Sequence, residues 1–249
     1  MDSIASILII LCDILFNRLF MYVPPLCPIV GPLFWEPSII CKIVYVTGNY
    51  ARFSKSVAQI CMVLNRMSCV LSPVSYNQIW RKALPVVRAL IALLPLGGTW
   101  NLLISRIYLT DQYGGFALNY SRNVKWAALS LFQSIYILTA LAFTVVCTSI
   151  TLYKMLALPE RIKAAEKSLC FTSVYISMTF LLVAGTQILW QVCCQTEVLY
   201  SIQFLAFDTF TVGSAVILVM VNKHLRSKIS PWKIPERNQN VVLVSIVPS

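Results

Sequence analysis

The chain of 249 residues is 58% hydrophobic and only 12% charged, with a mean hydropathy of +0.76. Soluble domains are closer to half apolar and a quarter charged, and the apolar residues here form long runs, so the composition excludes an ordinary soluble domain and favours a bilayer-spanning chain. Most residues behind the net charge of +11 lie between these runs, which is typical of membrane topology and argues against nucleic-acid binding.

Six apolar runs are long enough to cross a bilayer. They cover residues of about 3–23, 39–64, 84–105, 124–156, 168–193 and 198–221. The runs predict an all-α, polytopic membrane bundle over residues 1–221, followed by a short tail at 222–249. This tail contains three prolines and is a poor candidate for a domain: Pro231, Pro235 and Pro248.

Motifs for enzyme chemistry are missing from the sequence. The nine cysteines form no Cys-x-x-Cys pair and His224 is the single histidine, whereas metal sites need clustered Cys and His at fixed spacing. There is also no glycine-rich phosphate loop and no Gly-x-Ser-x-Gly nucleophile motif. We therefore predict neither an enzyme, nor a metal site, nor a bound cofactor.

Loop charges predict the orientation. Thirteen Lys and Arg residues lie in or close beside the segments after the second and fourth runs and in the tail, whereas three lie in or close beside the opposite loops. The positive-inside rule places the first set, and the C-terminus with it, in the cytosol. The single Asn-x-Ser/Thr sequon, at Asn119, then lies on the outside, as a glycosylation acceptor must.

The first run starts almost at Met1, with only Asp2 before it. It has no basic n-region and no small-residue cleavage site, so it is not a signal peptide. It has the character of a second span whose predecessor is missing.

Several stretches carry a resemblance to a known family. They are "LCDILFNRLF" (11–20), "MYVPPLCPIVGPLFWEPS" (21–38), "YARFSKSVAQICMVLNRMSCVLSPVSYNQIW" (50–80), "AEKSLCFTS" (165–173) and "AFDTFTV" (206–212). Together they resemble the nematode serpentine chemoreceptors of class gamma (Srg), with serpentine class V as the nearest competitor. The stretch at 50–80 is the most specific, and the resemblance covers essentially the whole chain.

This resemblance implies a seven-helix, G-protein-coupled receptor fold of which helices 2–7 are present. It also implies chemoreception in sensory neurons, signal transduction through a heterotrimeric G protein, an unknown small-molecule ligand and contact with membrane lipid. The expected location is the plasma membrane, in cilia. Two alternatives stay open: a truncated, non-signalling receptor fragment, and a six-span transporter or channel subunit, against which the lack of internal repeats counts.

Arg66 and Pro73 match a spacing that rhodopsin-like receptors show at the cytosolic end of their third helix, where the arginine engages the G protein. The acidic residue that usually precedes this arginine is Asn65 here. Because an amide can only hydrogen-bond, the resting-state restraint on Arg66 is expected to be weaker than an ion pair. The alternative is an interfacial arginine that reaches toward lipid phosphates.

Cys41 lies 25 residues before Arg66, where many receptors place a disulfide cysteine. The second external loop, 106–123, has no cysteine to pair with it. The resemblance therefore leaves Cys27, in the first external loop, as a candidate partner for Cys41.

Four ionisable residues lie deep within the runs: Asp13, Arg52, Lys55 and Asp208. Unpaired charges at the bilayer centre are costly, about 2.5–3.5 kcal/mol each, so two positive and two negative groups are expected to pair. By the resemblance, Asp13 lies at the sodium-site level of such receptors, and we predict Lys55–Asp13 and Arg52–Asp208 pairs. These pairs would either hold helices together or form the floor of a ligand cavity.

Overall fold

In a computed structural model the chain forms a bundle of helices with one β-hairpin. The structure describes residues 2–34, 38–112, 115–156, 160–192 and 196–221. The elements, in chain order, are α1 (Asp2–Cys12), a π-helical segment (Asp13–Arg18), α2 (Leu19–Tyr22), a 3₁₀ turn (Pro24–Leu26), α3 (Cys27–Phe34), α4 (Ile39–Leu71), α5 (Tyr76–Ile104), β1 (Arg106–Gln112), β2 (Gly115–Ser121), α6 (Leu129–Leu156), α7 (Glu160–Val192) and α8 (Glu197–Val221).

The predominantly helical architecture confirms the predicted fold class. By length and composition, two of the described helices could each cross a membrane alone, Tyr76–Ile104 and Leu129–Lys154, and Val174–Trp190 is a shorter apolar segment. Many large apolar side chains remain exposed on the outside of the bundle, among them Leu93, Met178 and Leu205. An apolar exterior of this kind suits a lipid environment.

Helix α4 lies at the centre of the bundle and packs against α1, α5 and α6. The Ser38 hydroxyl caps its first turn by accepting a hydrogen bond from the Ile40 amide at 3.2 Å, as an N-cap residue does. Its other end is followed by Pro73, which cannot continue a helix ladder. The helix therefore spans 33 residues, or roughly 50 Å at 1.5 Å per residue.

Pro95, inside α5, removes one backbone hydrogen bond because proline has no amide hydrogen. The carbonyl of Ile91, which lies four residues earlier, instead accepts a hydrogen bond from the Ser54 hydroxyl of α4 at 3.1 Å. On the same turn of α5, the Tyr50 hydroxyl donates to the Ala92 carbonyl at 2.8 Å. Side chains of α4 thus replace the missing bond and fix α5 against α4.

The second half of the bundle has its own apolar core between α6, α7 and α8. Phe180 of α7 and Phe210 of α8 form its centre, with their rings edge to face at 4.9 Å. Gly213 permits the close approach of the last two helices, since a Cβ there would lie 2.0 Å from the hydroxyl of Tyr175.

The β-hairpin follows α5 on the predicted outer side, within the loop 106–123. Its antiparallel strands pair Arg106 with Ser121 and Gln112 with Gly115. Gly115 lies so close to the end of α2 that a Cβ would meet the Phe20 carbonyl oxygen at 2.3 Å. The hairpin is therefore fixed against α2.

Candidate functional site: an outer cavity above a buried charge cluster

A cavity of about 180 Å³ opens between α4, α6, α7 and α8, with Leu118 of the hairpin at its edge. It is on the side of the bundle that carries the hairpin. The lining combines aromatic rings with amide and charged groups: Tyr45, Asn49, Arg52, Leu118, Leu129, Ser130, Gln133, Gln187, Trp190, Tyr200, Gln203, Phe204 and Phe207.

Two amide pairs connect the helices around this cavity. The Gln203 side-chain amide of α8 donates to the Gln187 oxygen of α7 at 2.5 Å. The Gln133 amide of α6 donates to the Asn49 oxygen of α4 at 3.2 Å. Buried amides need such partners to offset their desolvation, and these two pairs fix the width of the cavity.

Beneath the cavity lies a cluster of four charges from three helical segments, which we name the charge cluster: Asp13, Arg18, Arg52 and Asp208. Arg18 donates to Asp13 Oδ2 at 2.9 Å and to both oxygens of Asp208 at 2.5 and 2.7 Å. Arg52 donates to the other Asp13 oxygen at 2.7 Å. All four groups are therefore paired, which is the condition for keeping charges in a low-dielectric interior.

The π-helical segment explains why Asp13 and Arg18 meet. Residues five apart on an α-helix point about 140° away from each other, given 3.6 residues per turn. The segment Asp13–Arg18 is instead π-helical. Its backbone hydrogen bonds join residues five apart, which brings the side chains of Asp13 and Arg18 toward the same side. Insertions of this kind often mark functional sites.

Three phenylalanines of α8, spaced three residues apart, each contact one cation. The ring centroid of Phe204 lies 4.7 Å from the Arg18 guanidinium and that of Phe207 lies 5.6 Å from Arg52. Phe210 lies 4.8 Å from the Lys55 ammonium. Cation–π contacts of this length are worth about 0.5–2 kcal/mol each, so the face of α8 toward α4 is matched to positive charge.

The structure brings the four predicted buried charges into one region, but with different ion pairs. Arg52 binds Asp13, and Asp208 is bound by Arg18, so the predicted Arg52–Asp208 pair is wrong. The Lys55 ammonium donates to the Ser6 hydroxyl at 2.6 Å, and Asp13 has Arg18 and Arg52 as ion-pair partners. The predicted Lys55–Asp13 pair stays a prediction.

Arg18 is the member of the charge cluster that is absent from the predicted buried charges. A signal was present in its position, since Arg18 lies inside the first apolar run, 3–23, five residues after Asp13. A charge inside such a run is costly without a partner.

At the opposite end of α4, Asn65 and Arg66 lie two turns before the helix ends. The Tyr76 hydroxyl, from the first residue of α5, donates to the Asn65 side-chain oxygen at 2.7 Å. The Trp80 indole donates to the Ser68 hydroxyl at 2.6 Å. Pro73 is exposed in the connecting turn. Two side chains of α5 therefore fix the helix end that carries Arg66.

Cys41 is a buried, free thiol in the structure. The predicted bridge to Cys27 is therefore not formed, and the side chain of Cys27 lies outside the described residues. Asn119 lies on β2 with an exposed side chain, so the predicted glycosylation site is accessible.

The helical bundle and its apolar exterior are those of a polytopic membrane protein. Residues 1–229 match the family model described as Srg family chemoreceptor, and the chain belongs to this family. It is 57% identical to serpentine receptor class gamma-15 of Caenorhabditis elegans over 237 residues, which are 94% of this chain and 74% of that protein.

Other relatives from the same organism agree. Serpentine receptor class gamma-17 is 55% identical over 91% of this chain and 71% of its own length. Serpentine receptor class gamma-5 is 39% identical over 99% of this chain and 78% of its own length. The predicted resemblance is thus confirmed, and the chain is an integral membrane protein of a chemoreceptor family and not of an enzyme family.

Proposed function

We propose that the chain is a G-protein-coupled chemosensory receptor of the plasma membrane, with its C-terminus in the cytosol. A small molecule binds in the outer cavity, and the end of α4 near Arg66 engages a heterotrimeric G protein. The observation that carries the proposal is that one helix, α4, contributes to both regions: Arg52 lines the cavity and Arg66 follows fourteen residues later, roughly 21 Å along the axis.

A mechanism follows from this connection. A ligand that contacts Arg52 changes the strength of its ion pair with Asp13. This pair belongs to the charge cluster, which joins α4 to α8 through Asp13 and Arg18. Because interfaces of packed helices switch between discrete arrangements, a change here shifts α4 relative to α5. The shift acts on the Asn65–Tyr76 hydrogen bond and so on the accessibility of Arg66.

The cavity is tested by filling it. Cells that express the chain with a panel of G proteins receive small carboxylic acids, amines and alcohols, and second-messenger levels are recorded at matched surface expression. We expect Gln203→Trp to abolish the response, because the larger side chain fills the cavity. Leu205→Trp is the control and should retain the response, because the Leu205 side chain is 65% exposed on the exterior. Equal responses in both variants would contradict the assignment of this cavity as the ligand site.

A further inference from the structure

The Arg52 guanidinium has more hydrogen-bond donors than its protein partners use. It carries five N–H groups, and one of them is bound, to Asp13 at 2.7 Å. Four N–H groups thus have no hydrogen-bond partner among the described residues, although the side chain is only 23% exposed and lines the cavity. Because the side chain is half-buried at the cavity wall, these N–H groups are free to bind a ligand or water there.

The charges around the cavity leave an excess of one positive charge among the described residues. The cations are Arg18, Arg52 and Lys55, and the carboxylates that contact them are Asp13 and Asp208. Lys55 is turned toward Ser6 and the Phe210 ring, away from the cavity lining. Of these three cations, Arg52 is the one in the cavity lining, so a bound anion would lie against its guanidinium.

Among the described side chains, a cationic ligand lacks a comparable anchor. Both oxygens of Asp208 accept hydrogen bonds from Arg18, and the two oxygens of Asp13 are divided between Arg18 and Arg52. Neither carboxylate lines the 180 Å³ cavity. An amine would have to displace an arginine from its carboxylate, whereas an anion binds to donors that are already present.

The remaining lining limits the size and shape of the ligand. Pockets for drug-sized molecules have volumes of about 300–1,000 Å³, so a cavity of about 180 Å³ takes a smaller molecule. Trp190, Phe204 and Phe207 form an aromatic side beside Arg52, which suits a flat or aliphatic apolar body. Gln133 and Gln203 each have a side-chain oxygen that is not used in the two amide pairs and can accept from a ligand hydroxyl.

We propose that the outer cavity binds a small organic carboxylate, whose two oxygens accept hydrogen bonds from the Arg52 guanidinium. Arginine suits this role because its planar fork matches both oxygens of a carboxylate. The inference deepens the proposed function, since it rests on this cavity being the ligand site.

Direct binding tests the ligand class without a G protein. The full chain is purified in lipid nanodiscs, and the affinities of benzoate, phenylacetate and hexanoate are measured beside those of their primary amides. We expect at least one acid to bind, with its amide at least about tenfold weaker because the charge-assisted pair is lost. Equal affinity of acid and amide, or binding by none of the acids at millimolar concentration, would overturn the proposal.

Substitutions of Arg52 test whether this residue is the anchor for the carboxylate. Arg52→Gln should weaken acid binding at least about tenfold, and Arg52→Lys, which keeps the charge that Asp13 needs but loses the fork, should weaken it less. Arg106→Gln removes an exposed arginine of the hairpin and should leave binding unchanged. An unchanged affinity for the acid in Arg52→Gln would overturn the assignment of Arg52 as the anchor. G-protein activation, recorded separately, distinguishes a failed ligand class from a failed receptor function.

Discussion

Arg18 and Asp208 lie 190 residues apart in sequence, and the guanidinium of the first binds both carboxylate oxygens of the second, at 2.5 and 2.7 Å. The pair connects the π-helical segment near the start of the chain to α8. Since Arg18 also binds Asp13 and Asp13 binds Arg52, three helical segments are joined by one continuous set of ionic hydrogen bonds below the cavity.

Replacement of Arg18 should destabilise the bundle. Arg18→Gln leaves Asp208 without its ion-pair partner and removes one of the ion-pair partners of Asp13. Removal of one partner from a buried pair costs about 3–5 kcal/mol, and because the Asp208 side chain is 42% exposed, we expect about 2 kcal/mol. Thermal unfolding of the purified chain measures this, with Arg106→Gln as the exposed control.

Asp208→Asn combined with Arg18→Gln should lose less stability than the sum of the single variants, because each single variant already breaks the shared ion pair. Additive losses would show that Arg18 acts through packing alone.

Sequence alone identified Asp13, Arg52, Lys55 and Asp208 as buried charges that need partners, because charge is costly in a bilayer wherever it occurs along a span. It did not identify the pairs. The reason is the π-helical segment, Asp13–Arg18. In a regular α-helix, residues five apart lie on different faces, so the sequence pattern does not predict that these two side chains meet.

The hairpin was missed for a different reason. Apolar runs about 20 residues long indicate membrane helices, but each strand of the hairpin has only seven residues. A signal was present in alternation along β1, since Ile107 and Leu109 are buried whereas Arg106 is exposed and Tyr108 is half-buried. Period-two alternation of this kind is what predicts a half-buried strand.

Gly213→Ala should disturb the contact between α7 and α8. The new Cβ would lie 2.0 Å from the Tyr175 hydroxyl, and the ring has to move, which typically costs about 1–3 kcal/mol. Gly185→Ala is the matched control on α7, where a Cβ meets nothing within 4 Å. There the higher helix propensity of alanine should leave stability unchanged or raised by up to about 1 kcal/mol. Equal melting temperatures for the two variants would contradict the described packing.

Tyr76→Phe should raise basal signalling. It removes the hydrogen bond to Asn65, worth about 1 kcal/mol, and so loosens the helix end that carries Arg66. The expected change in the active fraction is roughly fivefold. Tyr153→Phe, on the exposed end of α6, is the control. Lower basal signalling in Tyr76→Phe would show that this bond supports the active state instead.

Asn65→Asp should act in the opposite direction. A carboxylate next to Arg66 can form the charge-assisted bond that an amide cannot, so basal signalling should fall at equal surface expression. An increase would show that Asn65 does not restrain Arg66.

Asn119 provides a test of orientation. If the hairpin faces outward, the chain expressed in animal cells should carry a glycan that glycosidase treatment removes and that Asn119→Gln eliminates. Asn123→Gln, which lies outside any sequon, should keep the glycan. A chain that is never glycosylated, although it reaches the surface, would count against the proposed outward hairpin.

The central claim, that this chain activates a heterotrimeric G protein through the end of α4, is tested most directly by nucleotide exchange on purified G proteins with the full chain in nanodiscs. We expect the wild-type chain to accelerate exchange on at least one G protein. Arg66→Ala should abolish this acceleration, whereas Arg81→Ala, which replaces an exposed arginine of α5, should retain it. Acceleration that persists in Arg66→Ala, or no acceleration by the folded wild-type chain with any G protein, would contradict it.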